Sequence, residues 1–480
     1  MIHEPAPHLP TGLFLGGRFV PGSGSIEVRN PYSGELIAEV ATGGAAEVER
    51  AVHDATGHLP PPAPAERARV LERAADIVAD RSEGFAQVLC QEAGKPIRQA
   101  RGEVARCVDT LTFSAAEART LSGETVPFEA SRAGIGKIGL IRYAPIGVVG
   151  AIAPFNFPLN LVAHKLGPAI AAGCPVILKP AQKTPLSALL LAEALSEAGL
   201  PAGALAVITG GGEEVGGALV DHPDVAMISF TGSGPVGWGI RERAPRKHVA
   251  LELGNSTPVI VTEDADLVHA AARIAASGFT HAGQSCISVQ RIYVHASVHD
   301  VFLAVLVAAV NDLVVGDPAD EATDVGPVIT PAAHQRVRDW IAEAVAAGAT
   351  IATGGHAHDG LIAPTVLDGI TPNMKVTCEE MFGPVVGVAA YHTIDGAIGL
   401  CNATSYGLQA GIFTGRVDAA LTWAERLEFA GVVINETPTF RADQQPYGGI
   451  KGSGNTREGP HYAVRSMCEP RLVILELPSE

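Results

Sequence analysis

The sequence predicts an α/β fold, two lobes built on parallel sheets with a small β arm outside them, and three observations carry that prediction. From Val148 to Ala153 onward, short apolar strands alternate with longer helical stretches, the pattern of a parallel sheet in which each strand is recrossed by a helix. After Leu253 a second series of the same kind begins at Pro258-Val259-Ile260-Val261 and runs to about Asn435. The length, 480 residues, exceeds one ordinary core, so two or three domains are expected.

Taken in order, the elements follow from local chemistry. Phe14 to Val20 and Ile26 to Val28 alternate around glycines, and Asn30-Pro31-Tyr32-Ser33-Gly34 is turn chemistry, so the chain enters as a β-hairpin. Helical periodicity holds from Ala45 to Thr56 and from Ala65 to Glu92, separated by the stiff linker Pro60-Pro61-Pro62-Ala63-Pro64. A further helix spans Arg98 to Leu121. Between Val126 and Ile141 the pattern turns to short strands around Gly134, Gly136 and Gly139, with no core of its own. Strands at Val176-Ile177-Leu178, Leu205-Ala206-Val207-Ile208 and Met227-Ile228-Ser229-Phe230 continue the first series, and helices at Pro185 to Ala198, Gly212 to Val220 and Pro235 to Arg243 cross between them. Arg471-Leu472-Val473-Ile474-Leu475 is one apolar strand that needs a sheet edge. Its expected partner is the 126 to 141 segment across a subunit boundary.

Composition narrows the partners. Hydrophobic residues at 47% and charged residues at 18% fill two cores and exclude disorder. Lys+Arg 34 against Asp+Glu 51 gives a net charge of −17, which repels phosphate backbones and anionic lipid, and no basic run offsets it. Neither nucleic acid nor membrane is an expected partner. The seven cysteines are scattered, without the paired spacing of a zinc site, so no metal and a reducing, cytoplasmic setting are expected. Met1-Ile2-His3-Glu4-Pro5 lacks the basic lead of a signal peptide, and the apolar run Val301 to Val315 is broken by Asn311 and Asp312.

The chemistry is concentrated in four stretches. Gly283-Gln284-Ser285-Cys286-Ile287-Ser288 sets Cys286 in a short polar turn between two apolar segments. A cysteine without context is more often an inert buried hydrophobe than a nucleophile. Context comes from Asn156 in Pro154-Phe155-Asn156-Phe157-Pro158, Glu252 in Leu251-Glu252-Leu253-Gly254, and Glu380 in Glu379-Glu380-Met381-Phe382-Gly383-Pro384. Asn156 is either a structural turn residue or, with the Cys286 N–H, half of an oxyanion hole worth about 3 to 4 kcal/mol in the transition state. Gly232-Ser233-Gly234-Pro235-Val236-Gly237 matches the dinucleotide fingerprint, and Glu252 lies 20 residues beyond Gly232. If Glu252 held a ribose there, Cys286 would be left without a base; a plain glycine turn is the other alternative. Lys179 ends a strand, where a lysine reaches ribose hydroxyls.

In that order, and with Glu252 and Cys286 34 residues apart, these motifs resemble the NAD(P)-dependent aldehyde dehydrogenase superfamily along essentially the whole chain. Asn435-Glu436-Thr437-Pro438 with Pro446-Tyr447-Gly448-Gly449-Ile450-Lys451 looks most like its lactaldehyde and non-phosphorylating glyceraldehyde-3-phosphate dehydrogenase branches. The resemblance implies a Rossmann-type cofactor domain from 1–123 and 143–253, an α/β catalytic domain from 254–435, and an oligomerisation arm from 124–142 and 460–480, assembled as a dimer or tetramer. It makes Cys286 the nucleophile, Glu252 the water-activating carboxylate and Asn156 the oxyanion donor. It places the dinucleotide, NAD or NADP, against Ile152, Ala153, Pro154, Phe155, Lys179, Gln182, Gly212, Gly216, Phe230, Thr231, Gly232, Ser233, Val236, Leu253, Glu380 and Phe382. Position 182 is a glutamate in NAD-preferring members; the neutral Gln182 here removes the repulsion of a 2′-phosphate and leaves NADP tolerated. Lys165 falls near the nicotinamide, or is a snorkelling lysine.

The aldehyde channel would be lined by Phe157, Asn160, Leu161, His164, Thr280, Ser285, Ile287 and Phe440, small or polar enough for a short polar aldehyde. Arg441 and Arg106 would pair with a carboxylate or phosphate on it, or else lie on the surface. The expected reaction is oxidation of a small polar or anionic aldehyde to its acid through a thioester on Cys286. Two rivals remain: a catalytically silent binding scaffold, and a reductase that cannot hydrolyse its own thioester.

Overall fold

The computed structural model describes residues 9–58 and 60–478; the Met1 to Pro5 stretch lies outside them. Two seven-stranded sheets form the molecule. In the first, Val148–Ile152 lies between Val225–Thr231 and Val176–Lys179, with His248–Glu252 and Leu205–Val207 outside these, all parallel. The antiparallel hairpin Leu13–Leu15 and Arg18–Val20 extends its far edge. Strands such as Val148–Ile152 and Val176–Lys179 are buried at every position. That explains their unbroken apolar runs, because helices cover both faces. The second sheet runs Thr350–Thr353, Thr365–Asp368, Val385–Tyr391, Val289–His295, Thr257–Val261, Gln409–Phe413 and Gly431–Ile434, parallel except at its first pair.

Four details differ from the sequence expectation. Ile26 to Val28 belongs to a separate hairpin, Gly24–Arg29 with Leu36–Thr42. The helix expected over Ala65 to Glu92 is two, Pro64–Asp80 and Ser82–Ala93, because Arg81 turns to ψ 20° where its guanidinium reaches Glu197 at 2.6 Å. Ser82 and Gly84, weak helix formers, follow it and let the second helix start on a new axis. The stretch expected as one helix from Gly212 opens as a wide π-turn over Gly212–Gly217 before Ala218–Asp221. The C-terminal strand Cys468–Glu476 pairs antiparallel with Lys137–Pro145 of the same chain, through a continuous register from Cys468↔Pro145 to Glu476↔Lys137. That edge of Lys137–Pro145 is therefore filled from within the chain, and Glu124–Val126 takes the other. The helix Pro460–Ser466 packs on Ile97–Thr120 and Asn160–Ala172, so only Cys468–Glu476 joins the arm sheet from that end.

Two buried glutamates fix the helices that follow the central strands. Glu103 accepts the Leu159 and Asn160 N–H groups at 3.0 and 3.1 Å, and Glu92 accepts those of Leu186 and Ser187 at 2.7 and 3.0 Å. Each satisfies N–H groups that a helix start leaves orphaned. Ile152, Lys179, Thr231 and Glu252 are the last residues of their strands. Asn156, in the loop that follows Val148–Ile152, reaches Gln284 in the loop that precedes Val289–His295 of the second sheet, so the two lobes meet there. Among the described residues no helix is long and apolar enough to cross a membrane, and the seven cysteines are free thiols.

Candidate active site

The loop carrying Cys286 is bent tightly. His281, Ala282 and Gly283 take φ of 50°, 53° and 72°, a left-handed run that costs non-glycine residues energy and that cores do not keep without a reason. Gln284 staples it, donating from Nε2 to the His281 carbonyl at 3.1 Å and accepting the Ile329 N–H at 2.8 Å. Gly283 is glycine of necessity, since a Cβ there would collide with the Gly383 carbonyl. The cysteine turn therefore lies directly against the Glu380 to Pro384 loop. Asn156 reaches the same turn, its Nδ2 donating to the Gln284 carbonyl at 3.0 Å, so the amide expected to lie among apolar groups has a partner. Behind it Lys95, buried and ion-paired to Glu103, donates to the Asn156 carbonyl at 2.8 Å and sits 3.9 Å over the Phe157 ring.

Glu252 stands on the other side. Both its carboxyl oxygens are buried with no hydrogen-bond partner among the described residues, and a Cβ on Gly448 would sit 2.7 Å from one of them. Burial, then the neighbouring Glu458, pushes the Glu252 carboxyl well above the usual range, against Arg441, Lys165 and Arg457. Glu458 goes the other way. Burial raises it, but Arg441 at 2.9 Å and Lys165 at 3.7 Å overcome that and hold it at about 2. The two carboxyls are thus pushed apart, Glu458 toward the charged form and Glu252 toward the protonated one. The Cys286 sulfur lies 2.8 Å from the Tyr447 hydroxyl. Burial pushes the thiol up to about 12, with Glu380 and Glu252 also raising it and Tyr447 and Arg441 lowering it.

A cleft of about 460 Å³ opens beside this centre, lined by Ile152, Lys179, Gly212, Gly216, Phe230 and Val236 among others. It lies at the C-terminal ends of the parallel strands, where open α/β sheets bind ligands. The helix Gly234–Arg243 begins at Ser233 with Pro235 in its first turn, a helix start of the kind that can hold a phosphate. Lys179 is buried and, among the described residues, hydrogen-bonds only to the Pro180 carbonyl at 3.2 Å, leaving donors to spare, while Gln182 is exposed and not among the cleft's lining. Glu380 accepts the Asn255 N–H at 3.1 Å and is pushed to about 7 by burial, against that bond and Arg336. Phe382 stacks edge-on against Phe155, centroids 5.8 Å apart. A dinucleotide fits this cradle: its glycines keep the walls open, and its spare lysine suits a ribose.

Residues 19–473 match the aldehyde dehydrogenase family. The chain belongs to that family. A 3-sulfolactaldehyde dehydrogenase of Priestia megaterium is 45% identical over 467 residues, 97% of this chain and 98% of that protein. Aldehyde dehydrogenase 21 from Physcomitrella patens, solved in complex with the reaction product succinate, superposes with a TM-score of 0.94 at 40% identity, covering 97% and 98% of the two chains. A glyceraldehyde-3-phosphate dehydrogenase from Methanocaldococcus jannaschii, complexed with NADP, gives a TM-score of 0.90 at 38% identity, covering 94% and 99%. As an aldehyde dehydrogenase the protein is an oxidoreductase that uses NAD or NADP, on the fold that its motifs resemble.

The remaining positions of this aldehyde dehydrogenase sort by environment. Leu161, Ser285 and Ile287 are buried, and Phe157 is half-buried beside Lys95. Phe440 is 54% exposed and forms a rim. Thr280 spends its hydroxyl on the Ala276 carbonyl at 2.7 Å. Lys165 is not a snorkelling lysine: it is buried and donates to Ser229 and Thr231 at 3.2 and 2.8 Å. Neither arginine lies on the open surface. Arg441, with 6% of its side chain exposed, pairs with Glu458, and its Nε has no partner among the described residues. Arg106, 28% exposed, holds Asp443 through two bonds of 3.2 and 2.9 Å, and Asp443 also accepts from Asn160 and contacts His164. Sequence reasoning missed Lys95, Asp443, Tyr447 and Glu458. Tyr447 had one signal, an aromatic residue between Pro446 and two glycines.

Proposed function

We propose that the protein oxidises a small anionic aldehyde to its carboxylic acid through a thioester on Cys286. The observation that carries this reading is the Glu252 carboxyl, buried without a hydrogen-bond partner and close enough to the Cys286 sulfur to raise its pKa. A structural carboxylate is paired; one kept bare beside a thiol suits an incoming water. Cys286 attacks the aldehyde carbon, forming the S–C bond as the carbonyl electron pair moves to oxygen. Asn156 Nδ2 and the Cys286 N–H donate to that oxygen. NAD or NADP, which Lys179, the Ser233 helix start and Glu380 would hold, would supply the acceptor for the hydride that leaves this carbon as the thioester forms. Glu252 then takes a proton from water, whose oxygen attacks the thioester carbon and releases the acid and the free sulfur. Cys286→Ala enzyme that still oxidised aldehyde would overturn this mechanism.

The anionic class is supported by Arg106 and Arg441 beside Phe157 and Tyr447, and by relatives named for 3-sulfolactaldehyde and for a succinate product. A panel of succinate semialdehyde, sulfolactaldehyde, lactaldehyde and propanal, each with NAD and NADP, tests it. Anionic members are expected to show the highest kcat/KM; equal values for propanal would sink the assignment.

A further inference from the structure

We propose that Tyr447 is a catalytic residue, its phenol O–H donating to the Cys286 sulfur so that the attacking thiolate is favoured as it forms and is held in a fixed direction. The inference rests on the reading of Cys286 as nucleophile and adds a residue to it.

The geometry is specific. The Tyr447 hydroxyl lies 2.8 Å from Sγ, and among the described residues this is the phenol's one hydrogen bond. The ring is buried and packs with Ile287 and Leu408 around Cys286. Its face carries the Arg441 guanidinium at 3.9 Å, and Arg441 is anchored by Glu458 at 2.9 Å. The backbone holds the ring in register, since the Tyr447 N–H donates to the Glu458 carbonyl at 3.2 Å. A tyrosine needed only for packing would leave its hydroxyl to water or to a carbonyl; this one sets it against the sulfur.

The surroundings explain the need. Around Cys286 the apolar shell and the carboxyl groups of Glu380 and Glu252 favour the neutral thiol, while Tyr447 and Arg441 favour the anion. Of these two, Tyr447 makes the direct hydrogen bond to the sulfur, and Arg441 acts from behind its ring. The thiol proton passes to water as the sulfur attacks the aldehyde carbon. Tyr447 keeps its own proton throughout, donating to the sulfur anion until the S–C bond forms and the negative charge passes to the carbonyl oxygen. A hydrogen bond to an ionised acceptor corresponds to roughly a 10- to 100-fold change in the thiolate equilibrium.

The test is the rate of iodoacetamide modification at Cys286, followed by peptide mass spectrometry from pH 6 to 10 on the full-length protein without aldehyde. Tyr447→Phe preserves the ring and the Arg441 stack. At neutral pH it is expected to slow modification by about 10- to 100-fold and displace the profile to alkaline pH. Profiles that superpose on the unaltered protein would overturn the assignment. Should Tyr447→Phe fail to fold, 3-fluorotyrosine placed at 447 keeps the shape and makes a stronger donor. Its profile must move to acid pH, and one that stays still also overturns the assignment. The alkylation profile reads the sulfur alone; persistence of aldehyde oxidation in Cys286→Ala enzyme would instead overturn the proposed function.

Discussion

At the scale of single residues, two neighbouring buried carboxyls are pushed in opposite directions. Arg441 and Lys165 favour the ionised form of Glu458, while burial and then Glu458 itself favour the protonated form of Glu252. Hydrolysis of the thioester should therefore rise with pH through a midpoint above the ordinary carboxylate range. Single-turnover release of acid, measured from pH 5 to 9, checks this, and a flat profile would remove Glu252 as the base. Glu252→Gln is expected to yield one burst of reduced cofactor per active site and then stop, with the acyl group on Cys286 visible by mass spectrometry. Arg106→Ala should lower kcat/KM for succinate semialdehyde by about 10- to 100-fold and leave propanal within a few-fold. Cys286, Glu252 and Asn156 were legible in the sequence because each sits in a short motif whose neighbours are unusual. Tyr447 and Glu458 were not. Their roles arise from side chains meeting across loops, and an aromatic residue in a glycine-rich turn reads as packing until the sulfur beside it is located.

At the scale of elements, the loops are held by helices whose own starts are capped from elsewhere. Glu103 belongs to the helix Ile97–Thr120, caps the helix Asn160–Ala172, and neutralises Lys95, which in turn holds the Asn156 carbonyl. Glu103→Ala therefore releases two helix N–H groups and strands a buried lysine, a combined cost of about 3 to 5 kcal/mol. The urea midpoint should fall accordingly, and residual activity should show a weakened kcat rather than a raised cofactor KM. Gly448→Ala should cost both stability and turnover, because the added carbon meets the Thr456 carbonyl as well as Glu252. The alternation of strands and helices was readable because sheets buried on both faces demand long apolar runs. The break at Arg81 was hidden, since apolar periodicity continues across it and only Ser82 and Gly84 mark the change of axis.

At the scale of the whole molecule, the buried charges set its acid limit. Glu458 is held at about 2 in the folded protein against an ordinary 4.5, so its contribution is fully present above the ordinary value and is lost as pH falls toward 2. Glu458→Gln, leaving Arg441 and Lys165 without their counter-charge, should cost about 3 to 5 kcal/mol at neutral pH and flatten the acid side of the stability profile. The arm exposes Leu472, Val473, Ile474 and Leu475 together with Ile138 and Leu140. So much bare apolar strand is expected to be covered by a second copy, and a Leu472→Lys, Ile474→Lys double variant should shift the light-scattering mass toward that of one chain. An apolar strand needing a neighbour was evident from sequence; that the neighbour is its own Lys137–Pro145 strand depends on how the chain returns, which no local pattern encodes. That return also constrains biosynthesis. As the ribosome works, Lys137–Pro145 emerges early with one short neighbour, and waits through translation of the entire second lobe for the strand that completes it. During that wait the nascent polypeptide offers an open edge to chaperones or to its own polysome neighbours.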